Sequence, residues 1–461
     1  MEMFGFSKEV QIKRKLILFL DSQERYVTSK ELKQHLNNMV TEQTILKYLR
    51  DVRKIITKDY STNKLSLQID TRNGIRLNRN ETNLNDLLEK IYREDLVYEN
   101  FRLLILNRSF TTENFCREHE VSFSTLRRIV RRMNDAVEPY QISIKAGLKI
   151  SISGKESQIR MLYFMFLFYI HRGIMSVDWV EPEHYLKLAK LVYEAFYIDE
   201  EQTELFALWL FINQYSDNHG YYLEENLFEE SFSVDLPENY FSINSWKYVL
   251  LIMYGLDFAD FVPKTSFEVI HENHFSNMVK QWLLLFEKNV CSLLPKEKET
   301  LYRRMYKCNL LKRILPTLSD IHQVFGTQNS FLIEETQPYF VCVFEKMWQQ
   351  FSSSLPKFET EEIREILMTW SFQYTPLQEL LPTITIYWKS NLPTMNVCQI
   401  GKILQYRLKK EANVFFTNEA EKADLILSTE TSNDSAITVS PLLTKKDIQT
   451  VKDFVRGFKK N

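Results

Sequence analysis

Two stretches of the chain repeat one pattern: a hydroxyl residue, a short helix, a second hydroxyl residue and a longer basic helix. The first runs from Val27-Thr28-Ser29-Lys30-Glu31 through Thr41-Glu42-Gln43-Thr44-Ile45. The second runs from Phe110-Thr111-Thr112-Glu113-Asn114 through Ser122-Phe123-Ser124-Thr125-Leu126. Thr28 and Glu31 have the spacing of a capping box, in which each side chain satisfies a backbone N–H of the other residue. In the longer helix of the first copy, Ile45, Leu49, Val52 and Ile56 predict an inward stripe. Thr44, Lys47, Tyr48, Asp51 and Lys54 fall on the other face. In the second copy the stripe is Leu126, Ile129, Val130, Met133 and Val137, and Arg127, Arg128, Arg131 and Arg132 occupy the remaining faces.

A strand pattern follows each long helix. Leu65, Leu67 and Ile69 alternate with Ser66, Gln68 and Asp70, the period of a half-buried strand. Asn73-Gly74 supplies the positive φ of a tight turn, and Ile75 and Leu77 return. The second wing is read from Ile142 and Ile144, then Leu148, Ile150 and Ile152, around Ala146-Gly147. Between the copies, Leu84–Leu106 is read as one long helix. Helix, turn, helix and two-stranded wing, written twice, is a layout that reads duplex DNA. The start of each second helix would meet base edges, which selects Gln43, Thr44, Lys47 and Tyr48, and Ser124, Thr125, Arg127, Arg128, Arg131 and Arg132. Arg72 and Arg76 sit where a wing would meet phosphates.

The chain's net charge of −2 argues against a polyanion as partner, but the distribution reverses that impression. Residues 1–155 carry 28 Lys+Arg against 20 Asp+Glu, and residues 156–461 carry 30 against 40. A basic front on an acidic body fits one nucleic-acid-binding part and a remainder that does not bind it. Four guanidinium groups with no carboxylate until Asp135 repel one another, and a phosphate backbone would relieve that repulsion.

At 461 residues the chain has room for several domains, and its 10 glycines favour helices over Gly-rich phosphate loops. The expected fold is mainly α and multidomain. It has two N-terminal winged helix-turn-helix modules (1–80 and 81–155), two central helical bundles (156–270 and 271–380) and a small C-terminal α/β domain (381–461). The five scattered cysteines fit a reducing compartment rather than disulfides or zinc. No signal peptide is read at the start, and the apolar run Met161–Ile170 is too short to span a bilayer. A cytoplasmic protein without membrane contact is expected, with no catalytic set, no metal and no cofactor.

The middle looks duplicated. Arg160…Ile170-His171-Arg172-Gly173 resembles Arg313…Ile321-His322-Gln323 with Gly326 after it. Tyr185–Phe196 resembles Tyr339–Phe351, and Glu204…Trp209-Leu210-Phe211 resembles Glu365…Trp370-Ser371-Phe372. His171 and His322 hold equivalent places. Such a histidine either packs at a helix end or accepts phosphate, whose charge would shift packing between bundles. In the tail, strands Thr383–Trp388, Ala412–Phe416, Asp424–Leu427 and Ala436–Val439 alternate with helices Asn396–Glu411 and Thr444–Phe458, which predicts a parallel sheet. Cys398 is expected to pack inside the first of those helices.

This order of parts resembles the Mga/AtxA-type transcriptional regulators of Gram-positive bacteria. The two winged modules (Thr28–Asn78 and Thr111–Gly154) carry the likeness, above all Ser122-(x)2-Thr125-Leu126-Arg127-Arg128. The paired helical repeats and the α/β tail add to it. The resemblance implies promoter DNA as partner, two phosphotransferase-regulation domains, a tail similar to the sugar phosphotransferase component B, and a homodimer joined through the C-terminal half. It also implies histidine phosphorylation by phosphotransferase-system phosphocarrier proteins, carried here to His171 and His322, with His219 and His274 as weaker candidates. Component B has a cysteine after its first strand. Here that loop is Lys389–Thr394 and has none, so the tail reads as a scaffold for association. A phosphotransferase-system enzyme component and an RNA-binding antiterminator are the competing readings. Wings suit duplex DNA better, because the A-form major groove is too narrow for a helix.

Overall fold

The computed structural model describes residues 3–70, 72–196, 202–224, 240–257, 276–314, 330–354, 361–430 and 436–457. The chain is mainly helical, with small sheets. It divides into two compact units: Met1–Asn273 with Arg303–Thr327, and His274–Tyr302 with Gln328–Asn461.

The first unit opens with α1 (Lys8–Asp21), α2 (Ser29–His35) and α3 (Glu42–Asp59), followed by the antiparallel hairpin β1 (Leu65–Asp70) and β2 (Gly74–Arg79). Thr28 caps α2 through the reciprocal box with Glu31, and Thr41 caps α3 by accepting from the Thr44 N–H. Ile45, Leu49, Val52 and Ile56 are buried as their spacing dictates. Val27 and Ile75 exchange two backbone hydrogen bonds of 2.9 and 2.8 Å, which ties the hairpin to the entry of α2. The close approach explains Gly74. Its φ is +102°, and a Cβ there would lie 2.7 Å from the Val27 carbonyl oxygen.

The long helix read between the copies is two helices, α4 (Asn85–Arg93) and α5 (Leu96–Asn107). Asp95 causes the break. Its backbone is extended, its carboxylate accepts from the Val97 N–H at 2.9 Å to open α5, and it also accepts from the Ser7 N–H at 2.8 Å. A helical pattern of apolar residues continues through this point, so periodicity alone passes over a cap. Asp95→Ala is expected to destabilise the unit by about 1–2 kcal/mol, the upper range for a lost N-cap, read from urea denaturation. A loss below a few tenths would mean that water replaces both bonds.

Next come β3 (Ser109–Thr111), α6 (Thr112–Glu118), α7 (Phe123–Val137), β4 (Ser143–Ala146) and β5 (Lys149–Ser153). The second wing is not two-stranded. β3 joins it, giving the antiparallel order β3-β5-β4. Leu148 lies at the turn, outside both strands, and is 94% exposed.

Four helices follow: α8 (Glu156–His171), α9 (Pro182–Phe196), α10 (Thr203–Asn218) and α11 (Ile243–Gly255), with α10 packed against the other three. The apolar run Met161–Ile170 in α8 is a core segment. Arg160, however, is not a flanking charge but is wholly buried. Its guanidinium donates to Glu156 (3.0 Å), Asn213 (3.1 Å), Ser245 (2.8 Å), Asp217 (2.9 Å) and the Tyr221 carbonyl (2.6 Å). Arg108, at the left-handed end of α5, lies between the Tyr163 and Tyr221 rings and donates to Glu156 (2.5 Å) and Ser216 (3.1 Å). Burial pushes the Glu156 carboxyl up from its ordinary value, and the two arginines oppose that rise.

In the second unit, α12 (Ser276–Asn289), α14 (Ser330–Thr336), α15 (Pro338–Ser354) and α16 (Glu361–Tyr374) surround Trp282, Phe344, Phe351 and Trp370. The helix between α12 and α14, α13 (Pro295–Ile314), contributes Thr300, which accepts from the Trp370 indole at 3.1 Å. Trp209 and Trp370, matched in the apparent duplication, are both fully buried.

The tail forms a parallel sheet of β6 (Thr383–Lys389), β7 (Asn413–Thr417), β8 (Leu425–Ser428) and β9 (Ile437–Thr438), in the order β7-β6-β8-β9. Helices α17 (Thr394–Leu408) and α18 (Lys445–Gly457) complete it, and Leu404, Leu408, Val451 and Val455 join the core under Ile384 and Leu427. Thr444 and Asp447 form a reciprocal cap at the start of α18. Cys398 is exposed rather than packed. In α17 the buried positions are Ile400, Gly401, Leu404 and Leu408, and Cys398 falls off that stripe. No helix among the described residues is long and apolar enough to cross a membrane.

Candidate nucleic-acid interface

The second long helix, α7, is opened by Ser122, whose hydroxyl accepts from the Thr125 N–H at 3.2 Å and lies 2.9 Å from the Ser124 hydroxyl. Its core stripe is buried, which forces the arginines outward. Arg127, Arg128 and Arg131 are exposed. Arg127 lies over the Phe123 ring at 5.3 Å, and Arg128 reaches the Thr125 hydroxyl at 3.5 Å. Among the described residues none of these three forms an ion pair. Arg132 differs from them. It is half-buried and donates to the Gly5 carbonyl at 3.3 Å, so part of its role is to hold the N-terminal segment on α7.

On α3, Gln43 and Lys47 are exposed. Thr44 is half-buried, its hydroxyl 2.9 Å from that of Thr41. Tyr48 does not stand free on the outer face. It is half-buried, with the Lys13 ammonium 5.9 Å from its ring centre, and burial pushes its hydroxyl pKa up. Helical spacing continues the exposed face past Lys47 to Arg50, Lys54 and Lys58. Arg50, Arg53, Lys54, Thr57 and Lys58 line an open cleft, and Asp51 pairs with Lys54 at 3.0 Å. Sequence reasoning stopped at Lys54 and missed Arg50, Arg53 and Lys58, although extending the same wheel to the helix end would have found them.

In the first wing, Arg72 is exposed at the turn. The Arg72 and Asn73 N–H groups both donate to the Asp70 carboxylate, which holds that carboxyl below its ordinary value. Arg76 lies 5.7 Å over the Tyr26 ring. At the entry to α2, the Glu31 carboxyl is held down to about 2, chiefly by its hydrogen bond from Arg25 and then by the Thr28 backbone and hydroxyl.

The histidines separate by exposure. His171 is buried, with Nε2 3.0 Å from the Tyr98 hydroxyl and Nδ1 3.2 Å from the Glu89 carboxylate. His219 is exposed at the C-terminal end of α10, stacked on Tyr215 with its Nδ1 2.8 Å from the Tyr215 carbonyl oxygen. His274 and His322 lie outside the described residues. Among the described residues no cluster of His, Cys, Asp or Glu is gathered to hold a metal.

Residues 80–167 match the family model of the Mga helix-turn-helix domain. The matched segment is similar to a Mga helix-turn-helix domain. It spans α4 to β5 and most of α8, and so contains the arginine face of α7. The match supports a DNA-binding transcriptional regulator of the Mga type. Residues 1–79, with α3 and its cleft, lie outside the matched segment. A comparison with curated proteins finds no match to the chain.

Proposed function

We propose that this Mga-type regulator reads duplex DNA chiefly through α7, with α3 and the first wing adding contacts to the phosphate backbone. The observation that carries this reading is the trio Arg127, Arg128 and Arg131, exposed and, among the described residues, without ion pairs on a capped helix. Ser124 and Thr125 at the start of that helix, and Gln43, Thr44 and Lys47 at the start of α3, would face base edges. Arg72, Arg76 and Arg132 would reach phosphates, as would the Arg50–Lys58 cleft. The purified chain is expected to retain duplex DNA in competition with an RNA hairpin, with affinity falling steeply as salt rises. Preference for the hairpin would move the chain to the antiterminator class.

Control belongs to the helical region in this reading. Phosphate from the sugar phosphotransferase system would arrive on histidine and alter how the acidic body assembles, as a homodimer, behind the DNA-binding front. Of the described candidates, His219 is the accessible one. Its Nδ1–H donates to the Tyr215 carbonyl, which leaves Nε2 with the lone pair a phosphoryl donor needs. A dianion there would sit at a helix C-terminus, where the backbone dipole is unfavourable to it. It would also lie two residues from Asp217, a partner of Arg160. His171 would accept phosphate only after its buried ring is released. His322 remains a candidate on the repeat argument, and His274 a weaker one on the resemblance. Incubation with labelled phosphoenolpyruvate and the general phosphotransfer proteins is expected to label histidine, less so in His219→Ala. Label on Cys398 instead would favour a phosphotransferase enzyme.

A further inference from the structure

The tip of the second wing carries a feature that the arginine face of α7 does not explain. Leu148 is 94% exposed, the most exposed large apolar side chain among the described residues. Its backbone is not loose. Thr112, itself buried at the start of α6, donates its hydroxyl to the Gly147 carbonyl at 2.7 Å and its N–H to the Leu148 carbonyl at 3.1 Å. The Gly147 N–H donates to the Lys149 carbonyl at 3.1 Å, closing the turn. The fold therefore fixes the tip and holds a leucine side chain out in water.

Its neighbours are basic. Lys145 and Lys149 are both exposed and form no ion pair among the described residues. Lys145 pairs with Ser151 across the ladder. Strand alternation puts Lys149 on the same outer face as Ser151, opposite the buried Ile144 and Ile150. An apolar tip between two free ammonium groups matches a surface that is anionic at its rims and apolar within. The minor groove of duplex DNA, with phosphates along both edges and sugar and base faces inside, is such a surface. Apolar side chains inserted there part the stacked bases and bend the duplex. The first wing differs. Among the described residues its tip is Asp70, Arg72 and Asn73, none of them apolar.

We infer that Leu148 is a minor-groove wedge. It enters between base steps beside the segment read by α7, and Lys145 and Lys149 seat it on the flanking phosphates. The inference rests on the DNA-binding reading above. It adds a source of specificity that needs no hydrogen bond to a base, because the energy of parting a step depends on which step it is.

The test uses the full chain and a duplex selected by it from a randomised pool, with 2-aminopurine placed in the flanking steps. The wild type is expected to raise the fluorescence of one such step on binding. L148A is expected to abolish that rise and to weaken binding about tenfold, the order set by leaving a leucine in water rather than buried. Its salt dependence should not change, since no counterion is released by an apolar contact. K145A/K149A should instead flatten the log–log salt slope by about 1.8, at about 0.9 per phosphate contact. Melting temperature should be unaffected by L148A, because the side chain touches nothing that folds. If wild type and L148A bind the selected duplex alike, with the same fluorescence, the wedge is overturned and the DNA-binding reading stands. If the wild type retains no duplex from the pool, both fall.

Discussion

Replacing Arg160 with alanine is expected to lower the stability of the first unit by about 3–5 kcal/mol, the usual loss when one partner of a buried ion pair is removed. For a unit of this size that corresponds to a melting temperature lower by roughly 6–20 °C. The magnitude follows from what the guanidinium leaves behind. Asp217 and Glu156 are largely buried, and Asn213, Ser245 and the Tyr221 carbonyl lose a donor at the same time. A buried acceptor without a donor costs more than the bond itself contributes. Glu156 retains Arg108 at 2.5 Å and so is partly protected, whereas Asp217 retains, among the described residues, the neutral donors Ser245 and the Ser242 N–H. Arg160→Lys should fall between, because an ammonium has three donors and no planar fork to reach five acceptors. Thermal unfolding followed by the fluorescence of buried Trp209 and Trp246 gives the measurement. An alanine variant that melts with the wild type would mean that the network adds nothing to stability.

Alanine at Arg127, Arg128 and Arg131 together should abolish most duplex affinity and leave the fold intact. Each exposed arginine lost from a DNA contact removes about 1 kcal/mol or more, so the triple variant should bind at least about a hundredfold more weakly. The salt slope should flatten by as much as about 2.7, at about 0.9 per phosphate contact. None of the three has an ion pair to break among the described residues, so the melting temperature should hold or rise slightly as their mutual repulsion is relieved. Arg132→Ala makes the contrast. It removes the hydrogen bond to Gly5, so part of its effect should be on stability. Titration of a fluorescent duplex at several salt concentrations separates the two. Unchanged affinity and slope in the triple variant would sink the assignment of α7 as the main reader.

The amino-acid sequence made some of this legible and not the rest, for physical reasons. The caps at Thr28, Thr41, Ser122 and Thr444 are local devices whose partners lie within three residues, so spacing reveals them. The stripes of α3 and α7 follow from helical geometry alone. The local cap of Asp95 on Val97 is hidden by the apolar pattern that runs through it, and its bond from Ser7 comes from 88 residues away. β3 was missed because a three-residue strand is too short to show alternation. Arg160 reads as a flanking charge in sequence, since its compensation comes from α10, α11 and the loop at Tyr221. Tyr48 and Arg132 sit at the edges of their helix faces, where a neighbouring element decides exposure. For Arg160, Tyr48 and Arg132 the deciding contact is long-range, which periodicity cannot register.

The Arg108–Glu156–Arg160 cluster has a consequence for how such a protein can be divided. Arg108 belongs to the segment that carries the wing, since the Ile152 N–H donates to its carbonyl, whereas Glu156 and Ser216 belong to the helices behind. A chain cut after residue 155 would keep Arg108 and discard Glu156, Ser216 and the Tyr163 and Tyr221 rings that enclose it. The reading head is thus no interchangeable cassette. It is welded to the body at a charged joint, and whatever strains that joint is felt at once on both sides.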